Sequence, residues 1–447
     1  MDYKTIFEQN LQTIKELLSI KSIYDETSVS IDAPYGKGVK DALLFMKNLA
    51  IKDGFIVKEY DNQVITISYV NKEDRIDIAS HLDVVAVNND WSFDPFSPFV
   101  KDNRLYGRGT SDMKVPAFLT YIGLKMLRDA CPNPRNEIRI VLGSDEERTM
   151  NDMRMYHSKV NEPLFAFSPD GIFPMGIGEK GALMWTLKGE YNGIIESLDG
   201  GVQCNVVPPI CKIVLKDNSY TNKIEEYIKK NNIDGNAVDE NNKTVLTVNG
   251  IAVHCSRCFM GRNAVIDALK IIRDVCKDSL SENLVSMFEG YYGEGIGIDL
   301  AGRYENYLTV NLGRLIIENN EIMAQVDARY PTSLTSKELT ERVKQRCIVS
   351  ASLDYDDPPT ECSILDPYVK CLLDTYQDVT NDMSEPRIFG GVSYSKVFKH
   401  CVTFGPGNIY KPMMAHQKDE YIEIDDCITA LEIYYKTMEK LANMEGK

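Results

Sequence analysis

The sequence predicts an α/β fold with a mixed sheet, into which a second, α+β domain is inserted. The first third of the chain alternates strand and helix patterns. RIDIAS (75–80) and NEIRIVLGS (136–144) are typical of buried strands, and VPAFLTYIGLKMLRDA (115–130) has the length and apolar spacing of a helix between them. Strands joined by a crossover helix form sheets that helices cover. From about residue 182 the strands become longer and alternate in polarity, as in YLTVNLGRLII and EIMAQVDARY, which flank the turn ENN.

These two patterns set the domain boundaries. Residues 1–181 and 364–447 are predicted to form one domain from both ends of the chain, and residues 182–363 are predicted to form the inserted domain. The inserted part combines long strands with the helical segments NAVIDALKIIRDVC and SKELTERVKQRC. After residue 364 the chain returns to helix, strand and a final helix, DDCITALEIYYKTMEKLANM, which completes the first domain.

The composition is that of a large acidic globular protein, with 447 residues and a formal charge of −16. An acidic surface repels nucleic acid and anionic membranes, so neither is predicted as a partner. No stretch approaches the ~18 apolar residues of a membrane span, and the N-terminal segment lacks the features of a signal peptide. The eleven cysteines are scattered along the chain, which is typical of free thiols in a reducing compartment. These features predict a cytoplasmic location.

The stretch IDIASHLDVV (76–85) ends a buried strand pattern with His81 and Asp83. Residues two apart on a strand face the same side, so both side chains are predicted to point to one place. In open α/β sheets, ligands bind beyond the carboxyl ends of the strands, which is where this pair lies. Taken alone, the pair is better explained as hydrogen-bonded partners in the core.

Three further segments place carboxylates at the same predicted edge. GRGTSDMK (107–114) has Asp112 in a glycine-rich loop before the crossover helix, and GSDEER (143–148) has Asp145, Glu146 and Glu147 after the next strand. FSPDG (167–171) has Asp170 after the strand that follows. Converging like charges repel unless a cation neutralises them, and divalent metals bind such oxygens together with imidazole. The succession of acidic strand ends therefore predicts a metal site.

Nine motifs along the chain resemble, in the same order, those of the M20 family of dinuclear metallopeptidases. They are SHLDVV, GRGTSDMK, GSDEE, FSPDG, NVVP, GRNA, DARYP, GGVSYSK and AHQKDEYI. The motifs run from about residue 81 to residue 422, and within the family the likeness is greatest to bacterial dipeptidases of the PepV type. The resemblance implies a zinc-peptidase-like catalytic domain from the two ends of the chain, with the inserted domain as its lid.

The resemblance also implies a set of metal ligands. Asp112 would bridge two divalent metal ions, with Zn²⁺ expected and Mn²⁺ or Co²⁺ as alternatives. The peptide bond after Asp112 would be cis, which is rare for a residue other than proline. The other ligands would be His81 and Asp170 for one ion, and Glu147 and His416 for the second.

The same resemblance implies three catalytic roles. Glu146 is adjacent to a ligand but is not a ligand in the family pattern, so it is the expected general base and acid for a water that bridges the metals. Asp83 would orient His81 and fix its tautomer. His254 in VHCSRCFMGRNA matches the histidine of the inserted domain that stabilises the oxyanion in these dipeptidases.

Four positions match those that hold the C-terminal carboxylate of the substrate: Asn205, Arg329, Gly390 and Gly391. Backbone N–H groups and a planar guanidinium suit a carboxylate. Arg329 leaves a second interpretation open, an ordinary ion pair at the end of a strand.

The segment CSRC (255–258) has the C-x-x-C spacing of a redox pair or of half a zinc site. No second cysteine pair lies at zinc-finger spacing in the sequence. We interpret Cys255 and Cys258 as two free thiols, with a redox pair as the alternative.

Together these expectations predict the metal-dependent hydrolysis of dipeptides with a free N-terminus. One alternative is an N-acyl-amino-acid amidohydrolase of the deacylase or desuccinylase kind, which would use the same metals. The other is a non-catalytic metal-binding or peptide-binding protein, although all five ligands and Glu146 are present. By resemblance, an enlarged lid supplies its own histidine, so we expect a monomer whose partner is a small peptide. Lid closure would bring His254 and Arg329 over the metals.

Overall fold

The polypeptide folds into two units, each with its own sheet. The computed structural model describes residues 1–298 and 307–445. The first unit contains Met1–Gly178, Glu361–Ile388 and the chain from Val392, and the second contains Glu179–Thr360 and Phe389–Gly391. The roles of these units as catalytic domain and lid stay a prediction.

The described residues form ten α-helices. They are α1 (Tyr3–Leu18), α2 (Lys37–Lys52), α3 (Lys114–Ala130), α4 (Asn151–Lys159), α5 (Thr221–Lys230), α6 (Ala264–Cys276), α7 (Ser279–Phe288), α8 (Ser336–Arg346), α9 (Pro367–Thr380) and α10 (Ile424–Asn443). Local sequence defines where several of them begin. Asp366 accepts hydrogen bonds from the first amides of α9, and Pro367 occupies its first position, where no amide hydrogen is needed.

The strands are short in the first unit and longer in the second. They are β1 (Ile56–Tyr60), β2 (Val64–Ser68), β3 (Arg75–His81), β4 (Phe99–Lys101), β5 (Arg104–Tyr106), β6 (Glu137–Gly143), β7 (Phe165–Ser168), β8 (Gly171–Phe173), β9 (Gly176–Glu179), β10 (Gly181–Glu190), β11 (Ile195–Gly200), β12 (Ile210–Leu215), β13 (Gly235–Glu240), β14 (Lys243–Asn249), β15 (Thr309–Glu318), β16 (Glu321–Tyr330), β17 (Ser350–Asp357), β18 (Thr360–Glu361), β19 (Arg387–Phe389), β20 (Cys401–Thr403), β21 (Pro406–Asn408) and β22 (Tyr421–Glu423).

A nine-stranded mixed sheet carries the predicted site. Its order is β1-β2-β6-β3-β7-β20-β9-β18, with β19 paired to β9. The four central strands β6, β3, β7 and β20 run parallel, whereas β1, β2 and β9 pair antiparallel to their neighbours. Every residue of β3 and β6 is buried, because helices cover both faces of a central parallel strand. The predicted mixed-sheet α/β class is confirmed.

The second unit is built on an eight-stranded antiparallel sheet with the order β13-β14-β12-β11-β15-β16-β10-β17. Strands β15 and β16 form the hairpin that the turn ENN predicts. Asn319 and Asn320 have positive φ angles of 53° and 61°, and the strands close at the Glu318–Glu321 pair. Two central residues with positive φ suit the right-handed twist of a hairpin, and asparagine tolerates them well.

Within the two described ranges, the structure has no helix with both the length and the apolar character that crossing a bilayer requires.

Candidate active site

Three adjacent parallel strands deliver acidic and imidazole side chains to one edge of the nine-stranded sheet. Strand β3 ends at His81, β6 leads into Glu146 and Glu147, and β7 is followed by Asp170. Because β3 pairs in parallel with both β6 and β7, the carboxyl ends of these strands lie side by side. The structure therefore brings together the strand-end residues that the sequence singled out.

Asp112 lies at the centre of this cluster. Its Oδ1 is 3.2 Å from His81 Nε2, and its Oδ2 is 3.1 Å from His416 Nε2. The same His416 nitrogen is 2.9 Å from Glu147 Oε2, and Asp170 Oδ2 is 3.7 Å from His81 Nε2. One carboxylate thus faces a different histidine with each oxygen, as a ligand shared by two ions requires. The predicted cis peptide bond after Asp112 is confirmed.

Glu146 lies at the same place, with its Oε2 3.8 Å from His81 Nε2. Its side chain is only 9% exposed. In the part of the chain that the structure describes, two groups of three potential ligand atoms lie within 4.8 Å of one another, His81–Asp112–Glu147 and His81–Glu146–Asp170. The Glu146 carboxylate is therefore part of the same buried cluster as the predicted ligands.

Unsatisfied atoms show that these residues suit a cation. His81 Nε2, Asp112 Oδ1 and Glu147 Oε1 are buried without a hydrogen-bond partner among the described residues, a costly state unless something else binds them. The four carboxylates of Asp112, Glu146, Glu147 and Asp170 sum to −4 when all are ionised, at −1 each. Two divalent cations, at +2 each, would balance that charge. The donor set therefore fits the predicted pair of metal ions.

Burial and crowding shift the pKa values of this cluster. Burial raises the pKa of Glu146 well above its usual value; the His81 ring opposes this rise, and nearby carboxylates add to it. Burial also raises the pKa of Glu147 to about 7. Hydrogen bonds with Asp112 and Glu147 raise the pKa of His416 to about 11. Without a metal the cluster therefore holds protons that a metal must displace.

Asp83 contacts His81 in a way that differs in detail from the prediction. The main-chain carbonyl of Asp83 is 2.9 Å from His81 Nδ1, whereas its carboxylate Oδ1 is 3.4 Å away. The carboxylate accepts hydrogen bonds from the amides of Glu146 and Glu147, at 3.3 and 3.1 Å. Asp83 thus orients the histidine mainly through its backbone, and its side chain holds the turn that presents the predicted base.

Asp152 is a site residue that the sequence did not reveal. Its fully buried carboxylate accepts hydrogen bonds from the amides of Ser144 and Asp145 at 2.5 and 3.1 Å, and from the hydroxyl of Tyr394. A Cβ on Gly143 would lie 2.1 Å from the Tyr394 hydroxyl, so only glycine allows this approach at the end of β6. Together, the carboxylates of Asp83 and Asp152 accept hydrogen bonds from four successive amides of the turn after β6.

Glu420 is a second residue that sequence reasoning missed. Its side chain is completely buried, and its Oε2 accepts from Arg108 Nη1 at 2.6 Å and from the amide of Gly109 at 3.2 Å. Its Oε1 accepts from the amides of Ser111 and Asp112 at 2.6 and 3.1 Å. The carboxylate therefore holds the loop that carries Asp112. The position of Glu420 in the motif AHQKDEYI, just before a strand, is the sequence feature that could have identified it.

The second unit brings the predicted oxyanion and carboxylate-binding residues near one another. The amide that follows His254 donates to the carbonyl of Asn205 at 2.9 Å. A Cβ on Gly390 would lie 2.6 Å from Ser256 Cβ, so this glycine packs against the residue two after His254. A Cβ on Gly391 would meet no described atom within 4 Å. The loop at 390–391 therefore lies beside the segment that carries His254.

Arg329 forms the ion pair that the sequence left open as an alternative. Its Nε and Nη2 donate to the two carboxylate oxygens of Asp327, at 2.9 and 3.0 Å. Both residues are buried at the end of β16. Binding of a substrate carboxylate by Arg329 stays a prediction, and such a carboxylate would share the guanidinium with Asp327.

The two cysteines of CSRC are buried thiols. Burial raises the pKa of Cys258 to about 12 and also raises the pKa of Cys255. No cysteine in the described ranges forms a disulfide. The interpretation of Cys255 and Cys258 as free thiols is confirmed, and their raised pKa values disfavour thiolate chemistry.

Histidines and carboxylates grouped around one shared aspartate, at the carboxyl edge of an α/β sheet, define the class of metal-dependent hydrolases. The chain belongs to peptidase family M20/M25/M40, whose profile matches residues 78–440. The family predicted from the motifs is thereby confirmed, together with the enzyme class, a peptide-bond hydrolase. The family is metal-dependent, in agreement with the cluster described above.

Bacterial relatives match almost the whole chain. A protein of Staphylococcus epidermidis named "Putative dipeptidase" is 29% identical over 453 residues, covering 96% of each chain. "Putative dipeptidase YtjP" of Bacillus subtilis is 27% identical over 451 residues, covering 97% of each.

Solved structures share the fold. The dipeptidase Dug1p of Saccharomyces cerevisiae superposes with a TM-score of 0.58 at 12% identity, covering 98% of this chain and 97% of that one. Human carnosine dipeptidase 1 gives a TM-score of 0.55 at 14% identity, with 98% of each chain covered. A tripeptidase of Staphylococcus aureus gives 0.57 at 14% identity, covering 97% and 98%. At these identities the likeness concerns the fold alone.

Proposed function

We propose that this protein is a dinuclear metallo-dipeptidase that hydrolyses the peptide bond of dipeptides with a free N-terminus. The observation that carries the proposal is the arrangement around Asp112, whose two oxygens face His81 and His416, with Glu146 beside them. The names of the bacterial relatives support the choice of a dipeptide as substrate.

His81 and Asp170 would hold one metal ion, Glu147 and His416 the second, and Asp112 both. Imidazole and carboxylate ligands suit Zn²⁺ first, with Mn²⁺ or Co²⁺ as alternatives. When bound, such a pair of cations polarises the scissile carbonyl and makes water a stronger nucleophile at neutral pH.

Glu146 moves the proton in this proposal. Its carboxylate takes a proton from the attacking water and later delivers it to the nitrogen of the leaving amine. Burial raises the pKa of this carboxyl, which favours the protonated form that the second transfer needs. The hydrogen bond from the Glu146 amide to Asp83 holds the backbone of the base close to the proposed ligands.

The residues predicted to contact the substrate belong to the second unit. His254 would donate a hydrogen bond to the developing oxyanion, and Asn205 with the amides of Gly390 and Gly391 would bind the C-terminal carboxylate of the dipeptide. Arg329 would contribute through the guanidinium nitrogen that faces away from Asp327.

A hydrolysis screen tests the proposal. Protein stripped with a chelator and restored with zinc, manganese or cobalt is offered free dipeptides and their N-acetylated or N-succinylated counterparts. We expect metal-dependent cleavage of the free dipeptides only. Cleavage of only the acylated compounds would identify an N-acyl-amino-acid amidohydrolase instead. No cleavage with any metal would favour a non-catalytic binding protein.

Replacing the predicted base separates chemistry from metal binding. We expect Glu146→Gln to lower kcat at least about 100-fold, the usual contribution of a general base, while the metal content stays at two ions. The matched control is Glu8→Gln, an exposed position on α1, which should keep the wild-type rate. Retention of activity by Glu146→Gln would refute its role.

We further propose that the chain acts as a monomer, since His254 comes from its own second unit. Light scattering should give the mass of one chain, and the specific activity should not change with protein concentration. An obligate dimer would contradict this.

A further inference from the structure

The ring of His254 has an unusual set of neighbours. His254 precedes a 3₁₀ turn, Cys255–Met260, and its side chain caps that turn. Its Nδ1 accepts a hydrogen bond from the backbone amide of Ser256 at 3.3 Å, and it lies 2.8 Å from the Ser256 hydroxyl. Both contacts involve the same ring nitrogen and the same neighbouring residue. The Cys255 Sγ lies farther away, 3.9 Å from Nδ1 and 3.8 Å from Nε2.

These two contacts decide which ring nitrogen carries the proton. A backbone amide can only donate, so Nδ1 must present a lone pair to it. The serine hydroxyl can donate or accept, and next to a bare nitrogen it donates. We propose that Ser256 is a positioning residue that holds the neutral His254 ring in the tautomer with the proton on Nε2.

Two other histidines of the chain show the opposite pattern. His81 Nδ1 is 2.9 Å from the carbonyl of Asp83, and His400 Nδ1 is 3.0 Å from the carbonyl of Leu164. A carbonyl can only accept, so in both rings Nδ1 carries a proton. For His81 this leaves Nε2 with the lone pair that a metal ligand needs. The fold therefore sets different tautomers for the predicted ligand and for His254.

This tautomer suits the role that the proposed function gives to His254, and to that extent the inference rests on it. A neutral ring with its proton on Nε2 has an N–H donor on the nitrogen that does not contact Ser256. The ring therefore need not take up a second proton in order to donate. Such a donor can stabilise an oxyanion at pH values where most histidine rings are neutral. Ser256 also packs against Gly390, whose added Cβ would lie 2.6 Å from Ser256 Cβ. Ser256 thus links His254 to the loop proposed to bind the substrate carboxylate.

Nuclear magnetic resonance of the histidine nitrogens tests the tautomer without any assay of activity. The zinc-loaded full chain is labelled with ¹⁵N-histidine and measured at about pH 8, where ordinary histidine rings are neutral. The five histidines are assigned by substituting each with glutamine. We expect His254 to show a single tautomer, with Nε2 protonated and Nδ1 bare.

Ser256→Ala keeps the backbone amide contact and loses only the shorter contact from the hydroxyl, so the His254 nitrogens should shift part of the way toward the tautomer mixture of an unconstrained ring. The control is Ser286→Ala, an exposed serine on α7, which should leave the His254 signals in place. A proton on Nδ1 in the wild type, or a tautomer ratio that does not change in Ser256→Ala, would overturn the proposal.

Kinetics of the metal-loaded enzyme show whether the positioning serves the reaction. Ser256→Ala should lower kcat about threefold to tenfold with little change in KM, the range for one lost hydrogen bond. The loss should disappear when His254 is already alanine, because Ser256 acts through that ring. An equal loss in both backgrounds would overturn the proposal. If His254→Ala alone leaves the rate unchanged, the oxyanion role in the proposed function fails, and the resonance experiment still decides the tautomer.

Discussion

Substituting glutamine for Glu420 tests how the loop around the shared aspartate is held. The carboxylate accepts from Arg108 and the Gly109 amide on one oxygen, and from the amides of Ser111 and Asp112 on the other. Glutamine keeps the shape of the side chain but replaces one oxygen with an NH₂ group. In either orientation of the glutamine amide, its NH₂ group faces two hydrogen-bond donors. Two hydrogen bonds are therefore lost, together with the negative charge opposite Arg108.

The structure indicates the size of the effect. Removing one partner of a buried ion pair costs about 3–5 kcal/mol, because the other charge is left uncompensated. Glu420 has no exposed side-chain surface, so water cannot replace the lost contacts. We therefore expect Glu420→Gln to lower the free energy of unfolding by about 3–5 kcal/mol. The affinity for zinc should fall roughly 10–100-fold, because outer partners of a ligand hold its geometry.

A neighbouring glutamate supplies the matched control. Glu423 lies on β22 after Glu420 and pairs with Lys411 and, at 3.3 Å, with Arg104, but its side chain is 26% exposed. Exposed ion pairs contribute about 0–1 kcal/mol, so Glu423→Gln should change stability little and zinc affinity not at all. Urea unfolding of chelated protein and calorimetric titration with zinc measure the two quantities. Equal effects of the two substitutions, or an unchanged zinc affinity in Glu420→Gln, would refute the reasoning.

Two further predictions concern protons and thiols. Hydrogen bonds with Asp112 and Glu147 raise the pKa of His416 to about 11. Burial lowers the pKa of His81, but the surrounding carboxylates raise it by more. Metal binding should therefore release about two protons per chain. The apparent affinity should then rise with pH; titration in buffers of different ionisation enthalpy measures the release, and a pH-independent affinity would contradict it. Cys255 and Cys258 should resist alkylation in the folded chain at about pH 8, because burial raises both pKa values. Mass spectrometry locates the labelled cysteines, and rapid labelling of either one would show that it is accessible.

Much of the fold and the core of the candidate site could be predicted from sequence, because both depend on local pattern. Strand β3 is a continuous apolar run that ends in His81, and the ENN turn marks the hairpin of β15 and β16. The order of the acidic motifs along the chain identified Asp112 and Glu147 as candidate ligands, although the sequence does not show how far apart the ligands lie. Parallel pairing of adjacent strands then brings such strand ends together.

The supporting contacts could not be predicted because they join distant parts of the chain. Glu420 and the loop that contains Asp112 are separated by about three hundred residues, and no periodic pattern connects them. Asp152 resembles an ordinary acidic residue near the start of a helix until the Tyr394 hydroxyl is placed beside it. For Arg329, the sequence left two interpretations open, a substrate carboxylate or an ion pair, and only the geometry of β16 shows the pair with Asp327.

The order in which the proposed ligands occur along the chain has a consequence for biosynthesis. Four of them lie within the first 170 residues, but the fifth is His416, and Glu420 follows it. The whole of the second unit is translated between these two groups. A nascent or prematurely terminated polypeptide therefore lacks one of the five proposed ligands until the second unit and the chain up to His416 have been synthesised. Hydrolytic competence would thus be acquired only after the second unit is already available to fold.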